Sequence, residues 1–389
     1  MVPIYAVAFL LGIFALGDII AQKTKAMIST VLVIVIALLV GFWVGLPANI
    51  MNYSGVSAVA MPMAAVLIVG IGSTIDVKTF IKQWKTVLIS LFGAIGGVLT
   101  IMFLGQFVMG RYMAFVAGPV FAGANAAILI LIDALTNNEM VHLIPFILLV
   151  FVTDNLIGIP IASIVLKKEA KLFIKDKEKV AKYAKMSLEG ATKTKRLINM
   201  PEIFNKPSVI FLRIALVASL SFYVSTLTQG RLHFLVACLI LGVIFTEIGF
   251  LEKQSLQKTE SYGFVVFVTT VFIFGSLADT SPTTMLSLIG PLLVTIGAGF
   301  LGLIVVSVAV SKLLGVSYWM GIAMATSCSF GMPTTFLIPK EVANAIGTTQ
   351  EEKAAIENYM VPNMITAGFT SVTIASVFIA QFAISILFG

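Results

Sequence analysis

The chain has 389 residues, of which 59% are hydrophobic and only 11% are charged, and its mean hydropathy is +1.06. About a quarter of the residues of a soluble domain are charged, so this composition excludes a soluble fold with a single anchor. Runs of about 20 apolar residues, each long enough to cross a bilayer, recur along the whole length. The sequence therefore predicts an all-α polytopic membrane protein embedded in the lipid bilayer.

The net charge of +7 arises mainly from one segment, because twelve lysines and arginines lie between Lys167 and Lys206. Such a run is typical of a cytoplasmic loop that obeys the positive-inside rule, and we prefer that interpretation to a nucleic-acid partner. The chain has two cysteines and two histidines. These are too few for a disulfide framework or a zinc or haem site, and no catalytic cluster is evident. We therefore expect a protein that is not an enzyme.

In chain order, ten apolar segments predict membrane spans. Two further stretches, 112–135 and 316–339, are apolar but have Gly, Ala, Ser, Thr and Pro at their centres, AGPVFAGANAA and ATSCSFGMPTT. Such centres disfavour a straight helix and are typical of broken or re-entrant helices in transporters. We predict that both stretches are re-entrant hairpins. The ten spans lie near residues 2–21, 27–46, 56–75, 86–108, 143–166, 207–228, 231–251, 261–278, 287–311 and 356–387.

The positions of the basic residues between the spans favour two re-entrant hairpins. If both hairpins enter and leave on one side, Lys78, Lys82 and Lys85 lie on the same side as the basic loop. If the first stretch crossed the membrane instead, these lysines would lie outside, against the positive-inside rule. We therefore expect both termini outside and the central loop in the cytoplasm. The expected location is the inner (plasma) membrane of a prokaryote.

The two halves of the chain align with each other. GANAAILILIDAL at 123–135 matches GMPTTFLIPKEVA at 331–343, an offset of 208 that also carries Asn155 onto Asn363. Each half has five spans, an odd number, so the second half must be inverted relative to the first, as in secondary transporters. The predicted organisation is a first repeat, a basic cytoplasmic linker and a second, inverted repeat, at residues 1–166, 167–206 and 207–389 respectively.

Polar residues lie at membrane depth in the motif FVTDNLIGIP, residues 151–160. A carboxylate there costs about 3 kcal/mol on insertion scales, so it usually faces the protein interior or water. We interpret Asp154 and Asn155, with the repeat partner Asn363, as ligands of a sodium ion, because hard cations prefer carboxylate, amide and carbonyl oxygens. The alternatives are a proton carrier and a structural carboxylate that caps a helix break.

The hairpin tips supply the candidate substrate ligands. Glycine lets the backbone approach a ligand closely, and helix N-termini that begin at a break favour a carboxylate. The alternative is that the small residues only permit tight helix packing. The candidate substrate-binding residues are Gly123, Asn125, Ser327, Ser329, Gly331, Thr334, Thr335 and Asn363.

The ten spans, the central cytoplasmic loop and a hairpin before the last span of each half resemble the sodium/glutamate symporter family and the related 2-hydroxycarboxylate transporters. Hairpins in those families carry Gly-Gly-x-Gly tips. The matching stretches here, AGAN at 122–125 and FGMP at 330–333, each keep one glycine, as in a divergent member. The histidine of the glutamate symporters is absent from them.

The resemblance implies an elevator mechanism. The hairpins and the spans near 143–166 and 356–387 would form a moving transport domain. The spans near 27–46 and 231–251 would belong to a scaffold and a homodimer contact. Substrate and sodium would cross the membrane together.

Three functions remain open on the sequence. The first is sodium-coupled symport of a small carboxylate, such as glutamate or a related amino or organic acid. The second is a sodium/proton antiporter that uses Asp154. The third is a channel or a membrane enzyme, for which the chain shows neither a filter motif nor clustered catalytic groups.

Overall fold

A computed structural model describes residues 2–23, 30–75, 77–123, 125–184, 206–228, 232–279, 281–331 and 334–388. These residues fold almost entirely as helices, and none of them forms a β-strand. Among these residues, six helices are long and apolar enough to cross a membrane, which confirms the prediction of an all-α, multi-pass membrane protein. They are Pro3–Ile20, Trp84–Met109, Val141–Phe173, Pro207–Leu227, Pro282–Leu313 and Gln350–Phe388.

The α-helices, in chain order, are α1 (Pro3–Lys23), α2 (Thr30–Val44), α3 (Ile50–Tyr53), α4 (Val56–Gly72), α5 (Val77–Lys82), α6 (Trp84–Met109), α7 (Arg111–Ala122), α8 (Asn125–Asn137), α9 (Ile144–Phe173), α10 (Lys177–Ala184), α11 (Pro207–Leu227), α12 (Phe234–Ile248), α13 (Tyr262–Gly275), α14 (Pro282–Leu313), α15 (Tyr318–Thr326), α16 (Thr334–Ile346), α17 (Gln350–Gly368) and α18 (Ser376–Phe388). A π-helical segment, Phe369–Ala375, joins α17 to α18. Short 3-10 turns lie at Val141–Leu143, Gln257–Thr259, Ser276–Asp279 and Ser327–Ser329.

The helices pack as two bundles. The first bundle contains α1–α4 and α11–α13, with α4 packed against α11, α12 and α13. The second bundle contains α5–α10 and α14–α18, with α6 and α14 packed along each other at its centre. Contacts between helices of different bundles are few. Each bundle therefore takes its helices from both halves of the chain.

The central pair of the second bundle, α6 and α14, runs antiparallel at very close range. Lys85 at the start of α6 donates to the carbonyl of Leu314 at 2.9 Å, whereas Met109 at its end lies 3.5 Å from the hydroxyl of Thr295. A Cβ added to Gly97 would lie 2.9 Å from the carbonyl oxygen of Gly299. Only glycine at these crossing points allows the two backbones to approach so closely.

The stretch 112–135 is a broken helix with two arms, α7 and α8. The start of α7 and the end of α8 both lie near the C-terminal end of α18. Arg111, at the start of α7, donates to the carbonyl of Ile386 at 3.2 Å. Asp133, near the end of α8, lies 2.9 Å from the His233 ring, and the backbone N–H of His233 donates to Gln381 of α18 at 2.7 Å. The break between the arms lies at the other end of α18.

The stretch 316–339 is broken in the same way but from the opposite direction. Its first arm, α15, starts beside the end of α14, where Val316 N–H donates to the carbonyl of Ser311 at 2.9 Å. Its second arm, α16, runs back along α17, so that Gly347 at its end packs against Lys353 in the first turn of α17. Both ends of this broken helix lie at the face where α9 ends and α10 begins, called the linker face below.

Most predicted spans differ from the observed helices by a few residues at their ends, and two predictions differ by more. The span near 143–166 continues as a helix to Phe173, and α10 follows, so residues 167–184 of the predicted linker are mostly helical. The rest of that linker, up to residue 205, lies outside the described residues. The last predicted span is interrupted by the π-helical segment, which widens the helix by one residue per turn.

Candidate functional site

The two helix breaks meet at the π-helical segment. A Cβ added to Gly123, at the first break, would lie 2.9 Å from the Cα of Val372 and 2.7 Å from the hydroxyl of Ser376. A Cβ added to Gly331, at the second break, would lie 3.6 Å from a methyl of Val372. Both breaks therefore lie close to Val372. The outer ends of the first broken helix lie at one end of the bundle, and those of the second lie at the opposite end. We call this region the junction.

A buried carboxylate lies beside the junction. Asp154, in the middle of α9, is 1% exposed, and Ser329 in the second break donates to its Oδ1 at 2.8 Å. Within the described ranges, Ser329 is the one hydrogen-bond partner of this carboxylate, and Asp154 takes part in none of the ion pairs. A buried charge without a cationic partner is costly, so this carboxylate needs a cation or a proton to compensate it.

Gly158 explains how Ser329 reaches Asp154. It lies one turn after Asp154 on the same face of α9, and a Cβ there would lie 2.9 Å from the Ser329 hydroxyl. Any side chain at this position would push the second break away from α9. The spacing of Asp and Gly in DNLIG therefore creates the contact between α9 and the break.

The structure places the remaining tip residues as follows. Ser327 is buried, and its hydroxyl donates to the Met324 carbonyl at 2.6 Å, within its own turn. Thr335 is buried against Gly368 of α17. Thr334, at the start of α16, is half-buried. Asn125 begins α8, but its side chain lies outside the described part of the structure.

The two paired asparagines do not join Asp154. The Asn155 amide donates to the Phe151 carbonyl of its own helix at 2.9 Å. Asn363 accepts a 2.7 Å hydrogen bond from Thr86 of α6 and donates to the Tyr359 carbonyl at 2.7 Å. Through these contacts Asn363 joins α17 to the first turn of α6, nearer the linker face.

The junction has the chemistry to hold a small ion and an anion. α8 and α16 each begin directly after a break, and the first N–H groups of a helix lack intrahelical acceptors and carry the positive end of the dipole. Carbonyl oxygens released by the broken turns, the Asp154 carboxylate and the Ser329 hydroxyl are ligands that suit a monovalent hard cation. The sequence identified these residues without showing which of them come together.

A cavity of about 770 Å³ opens at the linker face, between α6, α9, α10, α15 and α17. Asn363 and Met324 lie on its wall, and Met324 is one turn from the second break. Glu169, 5% exposed, also lines the cavity and accepts hydrogen bonds from Ser317 and, at 3.0 Å, from the Tyr359 hydroxyl. The cavity therefore reaches from the linker face toward the junction.

Several of these residues were not singled out in the sequence. The π-helical segment, FTSVTIA, carries a signal in its β-branched residues and hydroxyls, which lower helix propensity. Glu169 lies among lysines in the predicted basic linker, and the sequence does not indicate its buried contacts. Nothing in the sequence pairs Thr86 or Tyr359 with their partners, because those contacts join segments far apart in the chain.

No protein-family model matches the chain, and a search of curated proteins finds no match.

Proposed function

We propose that the protein is a secondary transporter that carries a small carboxylate in symport with sodium. The observation that carries the proposal is the junction, where two broken helices from opposite ends of one bundle meet beside the buried carboxylate of Asp154. Broken helices that meet at membrane depth, with a buried acid beside them, are typical of ion-coupled transporters. The proposed cargo is an amino acid or a related organic acid, such as glutamate.

The arrangement of the bundles supports an inverted repeat. The first bundle takes α1, α2 and α4 from the first half and α11, α12 and α13 from the second. The second bundle takes α6, the broken helix α7–α8 and α9, and their counterparts α14, α15–α16 and α17–α18. Each half thus contributes the same set of elements to each bundle. We infer two inverted repeats, with the first bundle as scaffold and the second as the moving unit of an elevator.

Sodium is the cargo ion that best fits the buried carboxylate. The Asp154 carboxylate and the Ser329 hydroxyl supply oxygen ligands, and in the described ranges no lysine, arginine or histidine pairs with Asp154. A positive ion there removes the cost of a buried unpaired charge. The helix N-termini at the two breaks are the proposed ligands for the substrate carboxylate.

Thermal stability of the purified protein tests this proposal. The protein is melted with a panel of carboxylates and amino acids, in sodium chloride or in choline chloride. A compound that binds the folded state raises the melting temperature by mass action. We expect one compound to stabilise the protein only with sodium, and we expect Asp154→Ala to abolish that effect. Asn155→Ala, whose amide bonds its own helix, is the matched control and should keep it.

The alternative function predicts another result. A sodium/proton antiporter would be stabilised by sodium alone, in a pH-dependent way that Asp154→Asn removes, and by none of the carboxylates. If neither sodium nor any compound changes the melting temperature, both functions are contradicted.

A further inference from the structure

The segment KQWK, residues 82–85, borders the cavity at the linker face, and the transport proposal does not use it. Lys82, Gln83, Trp84 and Lys85 all line the cavity. Trp84 is 50% exposed and Ile81 is 69% exposed, so the segment presents large apolar side chains on the outer surface of the bundle. Tryptophan beside lysine is typical of the level of the lipid headgroups. The cavity therefore lies at the edge of the membrane.

The charges around this cavity favour an anion. Four lysines line it, Lys82, Lys85, Lys179 and Lys182, against two carboxylates, Glu169 and Asp176.

The two carboxylates already have donors. Ser317 and Tyr359 donate to Glu169. Lys179 holds Asp176 at 3.0 Å, and the hydrogen bond from its backbone N–H lowers the pKa of the Asp176 carboxyl.

Two of the lysines have no assigned counter-charge. In the described part of the chain, Lys82 and Lys182 join none of the ion pairs. Lys85 donates one hydrogen bond to the Leu314 carbonyl. An ammonium has three donors, so Lys85 keeps two for a ligand. The cavity therefore combines an excess of positive charge with unused donors.

A second observation concerns the wall of the cavity. The Oε1 atom of Gln83 is buried and accepts no hydrogen bond from any described residue. A buried acceptor of this kind costs free energy unless a ligand or water supplies a donor. Gln83 lines the same cavity as Lys82 and Lys85. A ligand that carries a hydroxyl beside its negative charge would satisfy both this acceptor and the lysines.

We propose that the cavity binds a phosphate group that carries a neighbouring hydroxyl, as in a glycerol phosphate. The phosphate would lie against Lys82, Lys85 and Lys182, and the hydroxyl would donate to Gln83. An anionic lipid headgroup such as phosphatidylglycerol and a soluble phosphate ester share this chemistry. Basic pockets between membrane helices near the cytoplasmic face bind such headgroups.

A bound phosphate would also affect the opening of the cavity. α10 carries Lys182 and packs on α17, so a bound phosphate would tie α10 to the start of α6. The occupant would then lie across the opening of the cavity that leads toward the junction.

The test uses Trp84 as the reporter. The chain has three tryptophans, so Trp43→Phe and Trp319→Phe leave Trp84 as the single tryptophan of the full-length protein, excited selectively over the tyrosines. The protein in phosphatidylcholine nanodiscs is compared with the protein in discs of increasing phosphatidylglycerol content. Inorganic phosphate and glycerol 3-phosphate are titrated separately. The cavity variant combines Lys82→Gln, Lys85→Gln and Lys182→Gln, and the matched control combines Lys167→Gln, Lys171→Gln and Lys175→Gln, which lie on the same face outside the cavity lining.

We expect a saturable change of Trp84 fluorescence with phosphatidylglycerol, weakened roughly tenfold or more in the cavity variant and unchanged in the control variant. If glycerol 3-phosphate gives the same lysine-dependent change and the lipid gives none, the site stands and its ligand is soluble. Equal losses of lipid affinity in the cavity variant and the control variant would show that the lipid is attracted by the charge of the whole linker face. That result would overturn the proposal. So would binding that none of the lysines affects. None of these outcomes depends on sodium or Asp154, so they leave the transport proposal untouched.

Discussion

The hydroxyl of Ser329 donates a 2.8 Å hydrogen bond to Asp154, which ties the second helix break to the middle of α9. Both residues are 1% exposed. A hydrogen bond to a charged group contributes more than a neutral one, typically about 1.5–3 kcal/mol. Occupation of Asp154 by an ion or a proton therefore acts directly on the position of the break. This contact is the physical link between the proposed ion site and the proposed substrate site.

Removing that donor should weaken both sites. We expect Ser329→Ala to lower the free energy of unfolding by about 1.5–3 kcal/mol and to raise the sodium concentration needed for stabilisation. Equilibrium unfolding in mixed micelles and sodium titration of the melting temperature measure the two effects. Ser327→Ala is the control, because its buried hydroxyl donates to the Met324 carbonyl of its own turn and contacts no carboxylate among the described residues. If both variants shift sodium dependence equally, the Ser329–Asp154 contact has no special role.

The close approach at Gly158 leads to a steric prediction. A methyl group there would lie 2.9 Å from the Ser329 hydroxyl, so Gly158→Ala should push the break from α9. We expect a loss of about 1–3 kcal/mol of stability, as in other overpacked interiors, and loss of the sodium effect. Gly297→Ala is the matched control, since a Cβ at that exposed helical position meets no atom within 4 Å. Unchanged sodium titration in Gly158→Ala would contradict the packing argument.

The sequence predicts the all-helical, membrane-spanning character of the fold, because span length and hydropathy are local properties. The centres of 112–135 and 316–339, rich in Gly, Ala, Ser, Thr and Pro, predict two helix breaks, which the structure places at Gly123 and around Phe330. The sequence also predicts that Asp154 lies within an apolar span, since a carboxylate inside an apolar run is visible without any contact information.

The contacts of the site could not be predicted in the same way. The repeat related Asn155 to Asn363, yet their hydrogen bonds lie in different places, because symmetry of sequence position does not set the rotation of each helix. The sequence predicts Ser329 as a ligand only from its place at a hairpin tip, and its partner Asp154 lies 175 residues away in the chain. The π-helical segment lies against both breaks, and its β-branched residues indicate only a weakened helix, not the place where the breaks meet it.

The Glu169 network gives a prediction at the linker face. The Tyr359 hydroxyl donates to Glu169 at 3.0 Å, and the Tyr359 ring stacks on Phe173 with centroids 4.8 Å apart. Tyr359→Phe keeps the ring contact and removes the donor, so we expect a loss of about 1–3 kcal/mol of stability. Tyr183→Phe is the control, because Tyr183 shares the ring cluster without a hydroxyl hydrogen bond among the described residues. Equal melting temperatures for the two variants would rule out the proposed contribution of the hydroxyl.

The contact between Asp133 and His233 tests movement of the bundles. Asp133 belongs to α8 of the second bundle, His233 precedes α12 of the first, and their side chains lie 2.9 Å apart. We replace both by cysteine in a Cys238→Ser, Cys328→Ser background and bridge them with a short bifunctional thiol reagent.

Trp84 lies in α6 of the second bundle, so in the Trp43→Phe, Trp319→Phe background we expect an elevator movement to give a sodium-dependent change of its fluorescence. The bridge between the bundles must then stop this change, and a reductant that cleaves the disulfide bonds of the linker must restore it. The control joins Met109 to Thr295 by the same cysteine substitutions, since their side chains are 3.5 Å apart within the second bundle. We expect that bridge to leave the response intact, because α6 and α14 would move together. A response that survives the Asp133–His233 bridge would mean that the two bundles stay fixed during transport.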